Sequence, residues 1–406
     1  MIKLEEAQKI VLDSISRLQP EDISLEDCDG LVTAEALYAG ESIPPFDNTA
    51  VDGFALNSHD IESGLKEFEI LGTIAAGGYQ NSPLETGKTY RIMTGAPMPP
   101  NSDCVLMVED SLVTDRDGKS YLSFQSAPRK FDNVREAGSD IKEGQLLFEA
   151  QTRLTAGHLG VLASLGMYRV RVYPRPRIGI LSTGDELSND SGPLRPGQIR
   201  DSNRQTLASL VREMGADPVD FGTIKDDPDQ LRDAFTKAAS SCDAVLSSGG
   251  VSVGDFDYTK AVLDELSSGS MTWMQIAIRP AKPFAFGHIG TTPVFGLPGN
   301  PVSSMVSFEL LARPAILKMM GSPNLFRSQI AAISDSELRR RPDGKTHFLR
   351  VTASWDDHGR IHVKPQSGQS SHLLYSMANS NALAVVPDGH GVPVGEMTQI
   401  ILLREI

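Results

Sequence analysis

The sequence predicts an α/β protein with added all-β modules: a central, doubly wound, mostly parallel sheet, a β-rich insert before it and a β-rich tail after it. Three observations carry this. From Ile178 to Leu317, apolar runs of strand length alternate with helical stripes. Between about 45 and 140, Gly, Pro, Asn and Asp separate short apolar runs. From about 327, strand-like stretches and hairpin signals return. A chain of 406 residues, 40% hydrophobic and 22% charged, is ordinary for a globular protein and long enough for roughly two to four domains.

In chain order, Leu4, Ala7, Ile10, Val11 and Ile15 mark an amphipathic helix, and the start lacks the basic stretch and apolar core of a signal peptide. Residues 21–44 and 141–172 hold short apolar stretches around the insert and read as one connecting domain. The insert, 45–140, places strands at 67–72, 89–93, 104–108 and 121–124 and reads as a small all-β module. Tyr173-Pro174-Arg175-Pro176-Arg177 is a stiff junction, since two prolines hold the backbone extended. Residues 1–20 and 173–326 then form the α/β domain. Its strands fall at 178–181, 217–223, 243–247 and 292–296, and its helices at 204–214, at 228–240 and after Pro301. In the last helix Val302, Met305, Val306, Phe308, Leu310, Leu311, Ile316 and Leu317 give the stripe. The tail, 327–406, carries strands at 346–354 and 360–365 around Asp356-Asp357-His358-Gly359, with a further turn at Pro387-Asp388-Gly389. No repeat or low-complexity tract interrupts this order.

Composition excludes several classes. A net charge of −14 argues against general nucleic-acid binding, which needs a basic face. No apolar run approaches the roughly 20 residues that cross a bilayer, so no membrane partner is expected. Cys28, Cys104 and Cys242 are scattered beside apolar neighbours and read as buried thiols of a cytoplasmic protein. The histidines show no metal spacing; His347, His358, His362 and His372 read as strand or turn residues, and no Ser/His/Asp triad can be drawn.

Ligands of a wound sheet sit beyond the carboxyl ends of its strands, and three such ends carry suggestive turns. They are Ser182-Thr183-Gly184-Asp185-Glu186-Leu187, Ser247-Ser248-Gly249-Gly250-Val251-Ser252-Val253-Gly254 and Leu297-Pro298-Gly299-Asn300-Pro301-Val302-Ser303-Ser304. Glycines let backbone N–H groups close on a phosphate. In the third turn Asn300 can cap the helix and Pro301 suits its first turn, so the N–H groups of Val302, Ser303 and Ser304 point outward, as an anion site or as a plain helix start. Asp185, Glu186, Asp226, Asp227, Asp255 and Asp257 crowd the same edge. They suit a divalent cation between phosphate and protein; alternatively, Asp226 and Asp227 cap the helix at Pro228 and Asp255 solvates a loop. Arg279-Pro280-Ala281-Lys282-Pro283 puts two cations on a stiff extended segment, a positioned oxyanion clamp or a solvated surface pair. In the insert, stiff polar loops stand at Pro44–Ala55, Thr94–Pro99 and Asn133–Asp140.

Together these segments resemble the molybdopterin molybdenumtransferase family, the MoeA type that includes the gephyrin E domain. The resemblance spans essentially the whole chain. It rests on Pro-Pro-Phe-Asp-Asn-Thr-Ala-Val-Asp-Gly-Phe-Ala (44–55), Thr-Gly-Ala-Pro-Met-Pro (94–99), Asn-Val-Arg-Glu-Ala-Gly-Ser-Asp (133–140), and the turns at 182–187, 247–254 and 297–303. It implies a MogA-like central domain that binds molybdopterin, a β-barrel-like tail and an insert serving as a lid. The implied reaction inserts molybdate into adenylylated molybdopterin, releases AMP and yields the molybdenum cofactor. Asp52, Thr94, Asp140, Glu186, Asp226 and Asp257 match the family's functional polar residues, with Asp140, Glu186, Asp226 and Asp257 implied around Mg²⁺ and the pyrophosphate. Arg135, Thr183, Gly184, Ser248, Gly249, Gly250, Ser252, Pro298, Gly299, Asn300 and Pro301 are the implied pterin and phosphate contacts. Arg279, Lys282, Ser303, Arg350 and Ser371 look like the family's molybdate site. Ala281 stands where the family usually has Gly, and Arg279 where it often has Lys.

The resemblance further implies an elongated homodimer with composite active sites, each lid closing over the partner's wound sheet. The upstream molybdopterin adenylyltransferase and recipient molybdoenzymes are the other implied partners. Two alternatives stand beside the transferase. A molybdopterin adenylyltransferase would need only the wound domain and ATP; a non-catalytic, gephyrin-like scaffold would not need the full set of polar residues.

Overall fold

The strand Arg177–Thr183 is buried along all but its first residue, which only a central strand covered on both faces can be. Alternation sorts its side chains: Ile178 and Ile180 join one core, Leu181 the other. The neighbouring strand Ala244–Ser248 does the same, with Ala244 and Leu246 on one side and Val245 on the other. In the computed structural model, which describes residues 1–250 and 258–406, these strands lie inside a six-stranded sheet. Its order is Asp217–Ile224, Arg177–Thr183, Ala244–Ser248, Thr292–Leu297, Pro283–Ile289, Thr272–Gln275. The first four run parallel, and the last two add antiparallel.

One face packs against the helices Asn203–Glu213 and Pro301–Ser307 and the N-terminal helix Leu4–Asp13, whose Ala7 and Val11 are fully buried. The other face packs against Pro228–Ser241 and Tyr258–Leu266 through Leu231, Phe235, Val262 and Leu263. Fully burying a side chain of this kind stabilises by about 1.5–3 kcal/mol. The helix from Pro301 passes through a π turn, Phe308–Ala312, before Arg313–Met319. Pro314 has no N–H to give to the carbonyl of Leu310, and Gln8 Nε2 donates to that oxygen instead, at 3.0 Å.

The insert builds a six-stranded mixed sheet in the order Cys104–Met107, Gly53–Leu56, Lys88–Ile92, Glu67–Ile74, Lys119–Phe124, Ser111–Arg116. It is not purely β: Asn57 caps a short helix, Ser58–Glu62, by accepting from the His59 N–H at 2.9 Å. The chain between the insert and the wound sheet pairs Arg169–Tyr173 with Glu21–Ser24 and Val32–Thr33 over a core of Leu25, Cys28, Leu31 and Leu162. In the tail, five strands close on themselves. Gln329–Ser334, Thr346–Trp355, Ile361–Pro365, Ala382–Val386 and Met397–Leu402 form a barrel, sealed by the pairing of Thr346–Trp355 with Ala382–Val386. The three cysteines are free and buried, and burial pushes the Cys104 thiol up to about 12. No helix of the described residues is long and apolar enough to cross a membrane.

Candidate functional site

The three sequence-marked turns converge at the carboxyl edge of the parallel strands. Leaving the strand Arg177–Thr183, Gly184 has φ 145 and donates its N–H to Ile224 O at 3.2 Å. A Cβ there would lie 2.6 Å from Glu186 Oε2, so glycine allows the carboxylate to fold back over the turn. Asp185 Oδ1 accepts from the Asp226 N–H at 3.3 Å and draws the next loop alongside. The exposed carboxylates of Glu186 and Asp226 therefore stand on adjoining turns. Asp227 is a cap, its side chain accepting from the Gln230 N–H at 2.9 Å.

At the second turn, Gly249 donates to Leu297 O at 3.1 Å, and a Cβ on it would lie 2.7 Å from Thr183 O. A Cβ on Gly250 would meet Thr259 at 2.4 Å. The third turn lies alongside, where a Cβ on Gly299 would make only ordinary contact with the Gly249 Cα, at 3.9 Å, and Pro298 is buried. Thr183, Gly184, Ser248, Gly249, Gly250, Pro298 and Gly299 are thus brought together, while Ser252, Asp255 and Asp257 lie outside the described residues.

The helix start differs from expectation. Asn300 occupies the cap position, yet its side chain makes no cap hydrogen bond. The Val302 N–H donates to Ser371 O at 3.1 Å, and the Ser304 N–H to Asn300 O at 2.9 Å. Among the three amides expected to point outward, only that of buried Ser303 has no partner in the described residues.

The cationic segment is also reshaped. It is not extended: Ala281, buried, has φ 73, and the Ile276 N–H donates to Lys282 O at 2.7 Å, closing a tight loop. A left-handed residue reverses the chain, which explains why glycine suits this position. Arg279 and Lys282 are both exposed. The short strand Ile278–Arg279 pairs in parallel with Thr346 and His347 of the barrel. Beside it lies a cavity of about 290 Å³ lined by Arg279, Arg340, Arg341, His347, Gln369 and Ser370.

Arg350 does not open into that cavity. It is fully buried, donating from Nε to Ser376 Oγ (2.7 Å) and from one terminal nitrogen to Gly368 O (2.9 Å) and Ser370 O (3.1 Å). The other terminal nitrogen has no partner among the described residues, and burial lowers the pKa of the guanidinium. Arg350 thereby holds the loop that carries Ser371.

In the insert, Asp52 and Thr94 meet: the Thr94 N–H and Oγ–H both donate to Asp52 Oδ1 at 2.7 Å. Those two bonds, the backbone one first, hold the Asp52 carboxyl below its ordinary value. Arg135, exposed, pairs with Asn48, and exposed Asp140 donates its N–H to Ile43 O at 3.0 Å. Among the described residues of one chain, no hydrogen bond or ion pair carries Asp52, Thr94, Arg135 or Asp140 to the wound sheet.

Sequence reasoning missed the segment Asp201–Arg204. Asp201 accepts from Ser182 Oγ (3.1 Å) and Thr223 Oγ1 (2.8 Å), and Asn203 Nδ2 donates to Ser248 Oγ and Gly299 O, both at 2.7 Å. A helix-start signal was present in Asp201-Ser202-Asn203, but nothing in it pointed to those distant partners. Arg340 and Arg341 of the cavity were missed too.

For a divalent ion, Glu186 and Asp226 offer the hard carboxylate oxygens such an ion takes. The described residues contain no group of three acids, histidines or cysteines able to close a site on their own.

A doubly wound sheet with a β insert before it and a closed β barrel after it defines an α/β protein with added β modules, and three family models assign it. They are "MoeA N-terminal region (domain I and II)" over residues 2–166, "Probable molybdopterin binding domain" over 179–318 and "MoeA C-terminal region (domain IV)" over 337–403. The chain belongs to the MoeA family of molybdopterin molybdenumtransferases. It is 35% identical over 403 residues to the molybdopterin molybdenumtransferase of Haemophilus influenzae, covering 98% of both chains. It is 32% identical over 411 residues to that of Bacillus subtilis, covering 100% of this chain and 94% of the relative. The crystal structure of a molybdopterin biosynthesis MoeA protein from Pyrococcus horikoshii superposes with TM-score 0.83 at 28% identity, with all of both chains covered.

Proposed function

We propose that this protein inserts molybdenum from molybdate into adenylylated molybdopterin and releases AMP. The observation that carries the reading is the convergence of Gly184, Gly249 and Gly250 at one sheet edge, where side chains would collide and backbone can approach a phosphate, with the third turn at Gly299 beside them. Thr183, Gly184, Ser248, Gly249, Gly250, Ser252, Pro298, Gly299, Asn300 and Pro301 cradle the pterin phosphate and pyrophosphate. Arg279 and Lys282 attract molybdate, Ser303 offers its amide, and Arg350 with Ser371 closes the far side. As the two dithiolene sulfurs bind molybdenum, their two thiol protons leave with one molybdate oxygen as water, and a second water cleaves the phosphoanhydride to AMP and the cofactor's phosphate.

Mg²⁺ would be held by Glu186 and Asp226 with Asp257 and the Asp140 of a second subunit, and would neutralise the pyrophosphate oxygens. The other insert residues, Asp52, Thr94 and Arg135, act from the partner subunit of a homodimer. Among the described residues none of them bonds to the wound sheet of its own chain, which supports this arrangement. Free buried thiols fit a cytoplasmic protein. The adenylyltransferase upstream supplies the substrate, and molybdoenzymes take the product.

The test is AMP release from purified adenylylated molybdopterin with Mg²⁺, with and without molybdate. Molybdate-dependent release with recovery of active cofactor supports the transferase. Binding without release under any metal refutes it, as does ATP-dependent AMP transfer onto molybdopterin as the sole activity.

A further inference from the structure

We infer that Asn203 is a positioning residue that sets the spacing of two ligand turns and aims the Ser248 hydroxyl, with Asp201 anchoring it. The inference takes only the identity of the ligand from the transferase reading. Its basis is one short segment that touches the ends of all four parallel strands. Asp201, with its side chain 1% exposed, accepts from Ser182 Oγ on the first strand and Thr223 Oγ1 on the second. It also takes the Arg204 N–H and Nε–H, both at 3.2 Å, so its charge is paired. Arg204 continues to Asp220 and Asn189. Asn203 reaches Ser248 at the end of the third strand and Gly299 beyond the fourth.

The chemistry at Asn203 is specific. An amide nitrogen has two hydrogens, and here both are used on acceptors belonging to different turns. A carboxylate of the same shape could not donate to Gly299 O and would reverse the Ser248 bond, taking the hydroxyl proton that Asn203 leaves free. Because Ser248 Oγ accepts from Asn203, its own proton points elsewhere, and it donates to no group among the described residues. A hydroxyl with its acceptor side filled and its proton free is set to donate to an oxyanion, here a phosphate oxygen of the substrate. Asn203 need not touch the ligand to do this.

The experiment compares wild type, Asn203→Ala, Asn203→Asp, Ser248→Ala and the Asn203→Ala, Ser248→Ala double variant in the full-length protein. Binding of adenylylated molybdopterin is measured without molybdate, steady-state kinetics with it, and amide hydrogen exchange with no ligand. The expected result is about tenfold weaker binding for both Asn203 variants, the scale of two lost hydrogen bonds, with the molybdate KM unchanged. Adding Ser248→Ala to Asn203→Ala should weaken binding little further, and exchange should quicken at 247–250 and 298–303. Unchanged affinity in Asn203→Ala, full additivity with Ser248→Ala, or unchanged exchange at both turns overturns the inference. A wild type that neither binds this substrate nor releases AMP refutes the transferase reading instead, and exchange then decides the tie by itself.

Discussion

Replacing Arg350 by Met separates its structural work from the anion role proposed for it. The guanidinium is fully buried, its bonds go to neutral oxygens, and one nitrogen has no partner among the described residues. Hydrogen bonds from a charged group are worth about 1.5–3 kcal/mol each. Three would total roughly 4.5–9 kcal/mol, against a desolvation penalty of several kcal/mol for a buried charge without a counter-ion. Gly368 and Ser370 are exposed residues whose carbonyls can turn to water. Arg350→Met, which keeps most of the volume, should therefore destabilise by about 2 kcal/mol or less, whereas Arg350→Ala leaves a cavity and should lose about 3–5 kcal/mol. Molybdate at a hundredfold excess over its Kd should stabilise wild type by about 2.7 kcal/mol, a Tm rise on the order of 5 °C. The assay is thermal unfolding with molybdate, using sulfate as the tetrahedral control. The Met variant should keep its fold and lose the molybdate shift. If it loses more than about 4 kcal/mol while keeping that shift, Arg350 is a loop pin and takes no part in anion binding.

Further predictions test other parts of the site. Inactive Asp140→Ala and Lys282→Ala proteins, mixed so that subunits exchange, should recover about a quarter of wild-type activity: half the dimers are mixed and each holds one intact composite site. No recovery would place each site within one chain. Ala281→Gly should leave Tm nearly unchanged, since relief of the left-handed φ 73, about 1 kcal/mol, offsets a buried methyl worth about 0.8 kcal/mol; a clear loss would deny the strain. Gly249→Ala should lower Tm and abolish substrate binding, because the new Cβ would stand 2.7 Å from Thr183 O; retained binding would remove that turn from the site. The Thr94 bonds lower the Asp52 pKa, so their contribution is present above the ordinary carboxylate pKa and is lost as pH falls through the depressed value. Corrected for intrinsic rate, exchange of the Thr94 amide should therefore quicken only below about pH 4, and quickening already between pH 5 and 7 would contradict it.

What could be read from the sequence follows from periodicity. Ile178, Ile180 and Leu181 announce a strand buried on both faces, and the stripe after Pro301 announces its helix, because every residue of such an element carries the same signal. The turns at Gly184 and Gly249 were legible for a different reason: a left-handed backbone hemmed in by the Glu186 carboxylate in one case and by Thr183 O in the other demands glycine. Single polar ties were not legible. Nothing in Asn203 reveals that its partners are 45 and 96 residues away, and nothing in Arg350 reveals that it turns inward. The reversal at Ala281 was hidden because alanine does not advertise a positive φ. The π turn at Phe308–Ala312 interrupts a stripe whose apolar spacing continues unbroken.

The pairing of Ile278–Arg279 with Thr346–His347 has a consequence for how this chain can be cut, fused or redesigned. The barrel is the next strand of the cationic loop, and through Ser371 it also takes the Val302 N–H. A chain ending near Phe326 would lose the barrel residues that line the cavity beside Arg279 and leave Ile278–Arg279 an unpaired strand edge. On the proposed assignment of Arg279 and Lys282 to molybdate, such a fragment would lose the barrel side of its anion site, so tails exchanged between relatives should alter oxyanion preference more than single changes among the cations.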